Sequence, residues 1–293
     1  MGNEMNVCDY VKFKQRVWAN SNGITLIGSK IDKGEQNYTP ILEQNLFRPL
    51  RKETEESFKK ADGKELEKRN SNPCKMQALH SSSALAVNIF QYWVDKDISI
   101  IASACGLCEP VKDIGRELVF EHKYAISGKS GNYPNIDVVI KNPEGTRYKA
   151  YAIECKFLEP YGSWANGEKG LKPEYLELGD IWRDIPETHR LAESISPDDN
   201  SSHLFHAAQL IKHILGLKEA YGKGHFRLLY LWYDVYGEEG YKHRLEIEKF
   251  KSIVKNDGLT FQSITYQELI FNLHNRCGDD DVEYLNYIEQ RYL

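Results

Sequence analysis

Residues 135–157 read NIDVVIKNPEGTRYKAYAIECKF and consist of two apolar runs separated by a turn with Pro143 and Gly145. Short apolar runs bounded by Pro and Gly are typical of buried β-strands joined by a turn. We therefore expect a hairpin whose two strands lie side by side in a central sheet.

Charged residues interrupt both apolar runs. Side chains alternate along a strand, so Glu154 and Lys156 share one face while Cys155 takes the other. Asp137 occupies the middle of the preceding strand. Burying a neutral polar group without a hydrogen-bond partner costs about 2–7 kcal/mol, and burying an unpaired charge costs more. The pattern therefore indicates a functional site, and the alternative is an exposed Glu154–Lys156 ion pair on an edge strand with a solvated Asp137.

Asp137 followed by Glu154-Cys155-Lys156 resembles the active site of the PD-(D/E)XK nuclease superfamily, which has the restriction-endonuclease-like fold. The wider block from Phe120 to Pro160 is similar to a bacterial restriction-endonuclease-like branch, and the resemblance covers roughly residues 76–270 in element order. One departure is that the usual Pro-Asp has become Pro134-Asn-Ile-Asp137. Asp137 is therefore assigned as the first acidic residue of the motif from its position in the predicted strand and not from a Pro-Asp dipeptide.

Two carboxylates on neighbouring strands suit a hard cation. Asp137 and Glu154 could bind Mg²⁺, or Mn²⁺, which prefer oxygen ligands and leave positions for water and substrate phosphate. The resemblance also implies that the backbone carbonyl of Cys155 is a metal ligand. Lys156 would stabilise the attacking hydroxide or a non-bridging phosphate oxygen, because a compact ammonium suits a single developing charge.

Further candidates lie on both sides of the motif. Glu121 could add a third catalytic carboxylate, or it could pair with Lys123 on the same strand face. The run 203–217 has helical periodicity and places Gln209 and His213 on one face. In some nucleases of the superfamily a Gln precedes a Tyr by four residues, so Gln209 is a candidate catalytic residue, and the alternative is a solvated polar face.

Loop residues after the motif are weaker candidates. Glu159 could reach a second metal or a phosphate-bound water, although a loop Glu is usually solvated. Tyr161 and Trp164 lie in a connection with several Gly residues that could border a cleft.

The composition limits the class of protein that this chain can be. A chain of 293 residues with 41% hydrophobic content can bury a large core, and its net charge of −5 limits attraction to nucleic acid to local basic patches. Such patches occur at residues 48–69 and 242–255. The six scattered cysteines fit a reduced cytoplasm, and Cys105 and Cys108 are interpreted as free thiols and not as half of a zinc site. Neither a signal peptide nor a membrane-spanning stretch is expected.

The element order predicts an α/β restriction-endonuclease-like fold with a central mixed β-sheet flanked by helices. We expect an N-terminal accessory region at 1–72 and a catalytic domain at 73–293. The predicted elements are strands at 7–18, 116–126, 135–141, 148–157, 226–235 and 259–266, and helices within 42–68, 76–94, 203–217 and 282–292.

These observations predict a Mg²⁺-dependent endonuclease that cuts double-stranded DNA in restriction or anti-phage defence. A structure-directed or repair nuclease is the first alternative. A DNA-binding subunit that keeps the fold while a partner supplies catalysis is the second, and a zinc-dependent module built on Cys105 and Cys108 is the third. Because one motif cuts one strand in one orientation, we also expect a homodimer on DNA.

Overall fold

A five-stranded mixed sheet forms the centre of the computed structural model, which describes residues 6–30, 33–68, 70, 72–110, 114–127, 133–162 and 170–293. The strands lie in the order β1-β2-β3-β4-β5. Their bounds are β1 Glu117–Lys123, β2 Asn135–Lys141, β3 Ala150–Lys156, β4 Phe226–Trp232 and β5 Phe261–Thr265. The first three strands are antiparallel, and β3, β4 and β5 are parallel.

Helices cover both faces of this sheet. The described helices are α1 Val7–Ser21, α2 Lys52–Lys60, α3 Ser82–Phe90, α4 Ile98–Ala104, α5 Pro186–Ser194, α6 Ala207–Tyr221, α7 Glu238–Asn256, α8 Tyr266–His274 and α9 Val282–Tyr292. Alternate residues of β3 enter different cores. Ile153 and Cys155 pack with α3, α8 and α9, whereas Ala150 and Ala152 pack with α6 and α7. The expected α/β fold with flanking helices is therefore confirmed.

The hairpin predicted from residues 135–157 is present. Val138 pairs with Ile153 and Lys141 with Ala150 in antiparallel register. Gly145 in the connection has φ +87, a backbone conformation that glycine adopts without steric cost. One step beyond the last pair, the same register places Asp137 beside Glu154 (138 − 1 and 153 + 1). The hairpin thus brings the two acidic residues together.

The N-terminal prediction of a strand at 7–18 is wrong, because this segment is α1. Val11 and Trp18 are buried at helical spacing, and the side chain of Asn6 caps the helix by accepting the amide N–H of Asp9 at 2.9 Å. The helix expected at 76–94 is shorter. Ser81 caps α3 through the Ala84 amide, and a 3₁₀ segment replaces the helix after Phe90.

Residues of the N-terminal region share the core of the sheet. Phe58 of α2 lies 6.0 Å from Phe120 of β1, measured between ring centroids. The Arg291 guanidinium of α9 donates to the carbonyl of Asn45 at 2.8 Å and to Gln15 Oε1 of α1 at 3.2 Å, and it stacks over Trp18. A boundary near residue 72 remains a prediction.

Arg291 provides a test of this packing. Its side chain is buried and every acceptor that it contacts is neutral, so Arg291→Leu leaves Asn45 Oδ1 and Gln15 Oε1 without this donor. We expect a loss of about 2–5 kcal/mol in the free energy of unfolding, measured by urea denaturation. Arg190→Leu, which removes an exposed i,i+3 pair, should cost less than about 1 kcal/mol. Equal losses of unfolding free energy in Arg291→Leu and Arg190→Leu would contradict a stabilising role for the buried Arg291 contacts.

Candidate active site

Three carboxylates occupy adjacent positions across β1, β2 and β3. Phe120 pairs with Val138 and His122 with Ile136, so Glu121 faces Asp137, which in turn lies beside Glu154. Glu121 has φ +53, a left-handed conformation that costs on the order of 1–3 kcal/mol for a residue with a side chain. Such strain is often retained at functional sites.

Asp137 joins the two strands of the hairpin through its side chain. Its Oδ2 atom accepts the backbone N–H of Cys155 at 2.7 Å, and the residue is partly exposed. Burial of the carboxyl group, followed by the negative charge of Glu154, raises the pKa of Asp137 well above its usual range. Like charges therefore make the ionised form of Asp137 unfavourable in the absence of a cation.

Glu154 is the most buried acidic residue of the site, with 1% of its side chain exposed. Its Oε1 atom accepts a hydrogen bond from Lys156 Nζ at 2.6 Å, and its Oε2 atom lies 2.8 Å from His213 Nε2. Burial alone would raise the pKa of Glu154, but the charges of Lys156 and His213 and their hydrogen bonds outweigh it and hold the pKa below its usual range. Glu154 is therefore stabilised as a carboxylate.

Lys156 is held on two sides. Besides its contact with Glu154, Nζ donates to Gln209 Oε1 at 3.0 Å, and 13% of the side chain is exposed. Burial acts to lower the pKa of Lys156, but the negative charges of Glu154 and Asp137 raise it above its ordinary value. The structure thus brings together three of the candidate residues, Glu154, Lys156 and Gln209.

Glu121 does not form the alternative pair with Lys123. Lys123 Nζ instead contacts Asp62 Oδ2 at 2.8 Å, and Glu121 accepts a hydrogen bond from Asn135. Burial and the negative charges of Glu154 and Glu65 raise the pKa of Glu121 to about 8. Glu121 therefore lies in the same electrostatic environment as the other two carboxylates.

Two clefts open at this site. One, of about 440 Å³, is lined by Glu121, Asp137, Gln209 and Lys212. The other, of about 820 Å³, shares Glu65 and Ser82 with it and is further lined by Lys12, Lys75, Glu159 and Tyr161 among others. The two clefts are therefore neighbours, and the smaller one reaches two of the three carboxylates, Glu121 and Asp137.

The structure places the candidate loop residues after the motif, and the residues of the two basic patches, in different surroundings. Glu159 Oε2 accepts the backbone N–H of Phe157 at 2.8 Å, which is a local structural contact. Tyr161 lines the larger cleft, and its hydroxyl donates to the carbonyl of Tyr233 at 2.9 Å. Trp164 and Arg69 lie outside the described residues. His243, expected within a basic surface patch, is buried between the hydroxyl groups of Tyr161 and Tyr230.

The donor set suits a hard cation that takes few protein ligands. Among the described residues no group of three or more His, Cys, Asp or Glu side chains could by itself hold a metal ion. Mg²⁺ usually takes one or two carboxylates and completes its shell with water and phosphate, and Asp137 and Glu154 offer this number. The raised pKa of Asp137, caused first by burial and then by the charge of Glu154, is the second sign of fit, because a cation bound beside the carboxyl group would favour its ionised form. The contribution of the Cys155 carbonyl remains a prediction.

Sequence analysis missed one contact of the site. His213 follows Gln209 by four residues and was placed on the same helix face, but its contact with Glu154 requires α6 to pack on β3. The i,i+4 spacing was the available signal. No disulfide joins the six cysteines, and Cys105 is buried whereas Cys108 is partly exposed. The choice between free thiols and half of a zinc site at these two residues remains a prediction.

Comparison with known families agrees with the site. The family model described as "Restriction Endonuclease associating with ARP" matches residues 12–293, so the chain belongs to this restriction endonuclease family. Searches of curated proteins and of solved structures returned no match. Within the described ranges, every helix is too short or too polar to cross a membrane.

The carboxylate row predicts an unusual pH dependence of stability. The pKa of Glu121 is raised from 4.5 to about 8, so the folded state binds more protons than the unfolded state across this interval and stability falls as pH rises through it. Glu121→Gln should therefore raise Tm by a few degrees near pH 9, with little change near pH 5, in thermal melts with EDTA. Glu144→Gln, in an exposed turn, controls for the loss of one negative charge. The same Tm shift at pH 5 and pH 9 in Glu121→Gln would refute the claim that ionisation of Glu121 lowers stability at high pH.

Proposed function

We propose that this member of the restriction endonuclease family is a Mg²⁺-dependent endonuclease that hydrolyses phosphodiester bonds of double-stranded DNA. The observation that carries the proposal is the row of Glu121, Asp137 and Glu154, in which Glu121 and Asp137 line the smaller cleft and the buried Glu154 binds Lys156. Fold and family membership alone would not assign catalysis, because a fold can be retained without its chemistry. The intact set of charged residues supports an active enzyme.

Asp137 and Glu154 would hold the cation, and Mg²⁺ or Mn²⁺ bound there supplies Lewis-acid stabilisation of charge at the phosphate. The protein residues have separate tasks. Lys156, which is oriented by Glu154 and Gln209, presents an ammonium to the phosphate oxygen or hydroxide on which negative charge develops. Gln209 positions Lys156 and borders the cleft. Glu121 adds a carboxyl group beside Asp137, where it can accept or release a proton.

DNA is the substrate that the surroundings of the site favour. Lys212 lines the smaller cleft, and Lys12 and Lys75 line the larger one, so each cleft has cationic groups beside its acidic residues. Contacts with phosphates supply most sequence-independent affinity for DNA, and they can act locally in a chain with net charge −5. We propose that the DNA backbone follows the two clefts.

The biological setting belongs to the same proposal. The family description names an association with ARP, and we extend that association to this chain. A role in restriction or anti-phage defence follows from the nuclease family, and a reduced cytoplasm suits six free cysteines. Two copies related by a two-fold axis would let one motif per chain cut both antiparallel strands.

The metal-ligand assignment predicts loss of cleavage without loss of folding. Asp137→Asn and Glu154→Gln should each abolish Mg²⁺-dependent cutting of unmethylated plasmid or phage DNA, since each removes a negatively charged ligand while keeping side-chain volume. Gel assays of DNA cleavage, with Tm as a folding check, measure this. Glu144→Gln, in the exposed turn between β2 and β3, is the control and should cut normally. Near-normal cutting by Asp137→Asn or Glu154→Gln would refute the assignment, and a folded wild-type protein that binds DNA but never cuts it would favour the non-catalytic subunit.

Lys156 should act mainly in the transition state. Lys156→Ala is expected to lower the single-turnover rate of cleavage by about 10²–10³-fold, because it removes a donor aimed at developing charge. DNA affinity in Ca²⁺, measured by fluorescence anisotropy, should change little. Lys212→Ala is the comparison, since this lysine lines the cleft and should weaken binding more than catalysis. A loss of affinity in Lys156→Ala that accounts for its loss of rate would make Lys156 a phosphate-binding residue instead.

A further inference from the structure

We propose that His213 is a positioning residue that holds the Glu154 carboxylate in the orientation required for cation binding. The inference rests on the proposed function and deepens it, because it concerns the same site. It assigns a role to a buried histidine that neither the family description nor the sequence motif includes.

His213 reaches Glu154 from the helix that crosses behind the sheet. It lies on α6 one turn after Gln209, and its Nε2 atom is 2.8 Å from Glu154 Oε2. The side chains are 0% and 1% exposed, so no solvent competes for this contact. Lys156 binds the other carboxylate oxygen, Oε1. Each oxygen of Glu154 therefore has its own protein donor.

The contact requires a proton on Nε2 of the His213 ring. An ionised carboxylate only accepts hydrogen bonds, so Nε2 must donate to Glu154. The other ring nitrogen, Nδ1, is buried and has no hydrogen-bond partner among the described residues. An unsatisfied buried polar atom costs about 1–3 kcal/mol. A side chain selected for packing alone would avoid this cost.

The surroundings strengthen that argument. Next to the polar Gln209 and Lys212, α6 also presents apolar, buried neighbours of His213, including Leu210, Ile214 and Leu217. A leucine at position 213 would continue this surface without an unpaired nitrogen. Among the residues that the structure describes, Glu154 is the one polar partner of the His213 side chain, so this contact is the physical reason for a histidine there.

His213 becomes the main anchor when Lys156 engages substrate. The terminal torsion of a glutamate is broad, so a carboxylate held at one oxygen can rotate about it. An ammonium directed toward phosphate releases part of its hold on Oε1, whereas the imidazole remains on Oε2. Partners that orient metal ligands in this way typically contribute 10–100-fold to metal affinity. The same range is expected for His213.

Direct metal binding tests the proposal without relying on cleavage. Calorimetric titration of the DNA-free protein with Mn²⁺ should show affinity about 10–100-fold weaker in His213→Leu than in wild type. His213→Gln, whose side-chain N–H can reach Glu154 Oε2, should recover most of that affinity. His274→Leu, which removes an exposed His–Glu contact far from this motif in sequence, is the matched control and should bind Mn²⁺ normally. Thermal melts in EDTA report on folding in each variant.

The outcomes are distinguishable. Wild-type affinity in a folded His213→Leu variant would overturn the positioning role while leaving the proposed function intact. Equal losses of Mn²⁺ affinity in His213→Leu and His213→Gln, accompanied by lowered Tm in both, would show a purely structural role and also overturn it. Failure of the wild-type protein itself to bind Mn²⁺ would remove the proposed metal-dependent function and this inference together.

Discussion

The burial of an ionised carboxylate at Glu154 is the constraint on which the site depends. A charge that is 1% exposed requires nearby compensation, since an isolated ion in a protein interior is strongly unfavourable. Lys156 and His213 supply it by occupying one oxygen each. Lys156 is in turn fixed by Gln209. These contacts determine where β3 must end and how closely α6 must approach it.

Two connections of the mixed sheet, the β2–β3 hairpin and the β3–β4 crossover, bring charged partners to Glu154. An antiparallel hairpin brings Asp137 beside Glu154, and the preceding strand adds Glu121 to the same row. The parallel pairing of β3 with β4 then requires a crossover, and α6 belongs to that crossover. Because α6 packs on the face that carries Glu154, His213 reaches the carboxylate and Gln209 reaches Lys156. The remaining face of β3, with Ile153 and Cys155, packs in the other core.

Local patterns explain how much could be predicted from the sequence. The strands around Asp137 and Glu154 were predictable because apolar runs and a Pro- and Gly-containing turn act over short distances, and α9 was predicted with its observed bounds. The segment at 7–18 was mistaken for a strand because its buried positions are few and widely spaced. The Glu154–His213 contact spans 59 residues and arises from tertiary packing, so no local pattern contains it.

The site also combines two opposing electrostatic settings. Glu154 is held ionised by adjacent cationic groups, whereas burial and like charges raise the pKa of Asp137 and of Glu121. The cationic groups beside Glu154 therefore balance the row of three acids only in part. On the proposed function, a divalent cation supplies the missing positive charge and competes with protons for Asp137 and Glu121. Metal affinity at this site must then increase with pH over the range in which these carboxyl groups lose their protons.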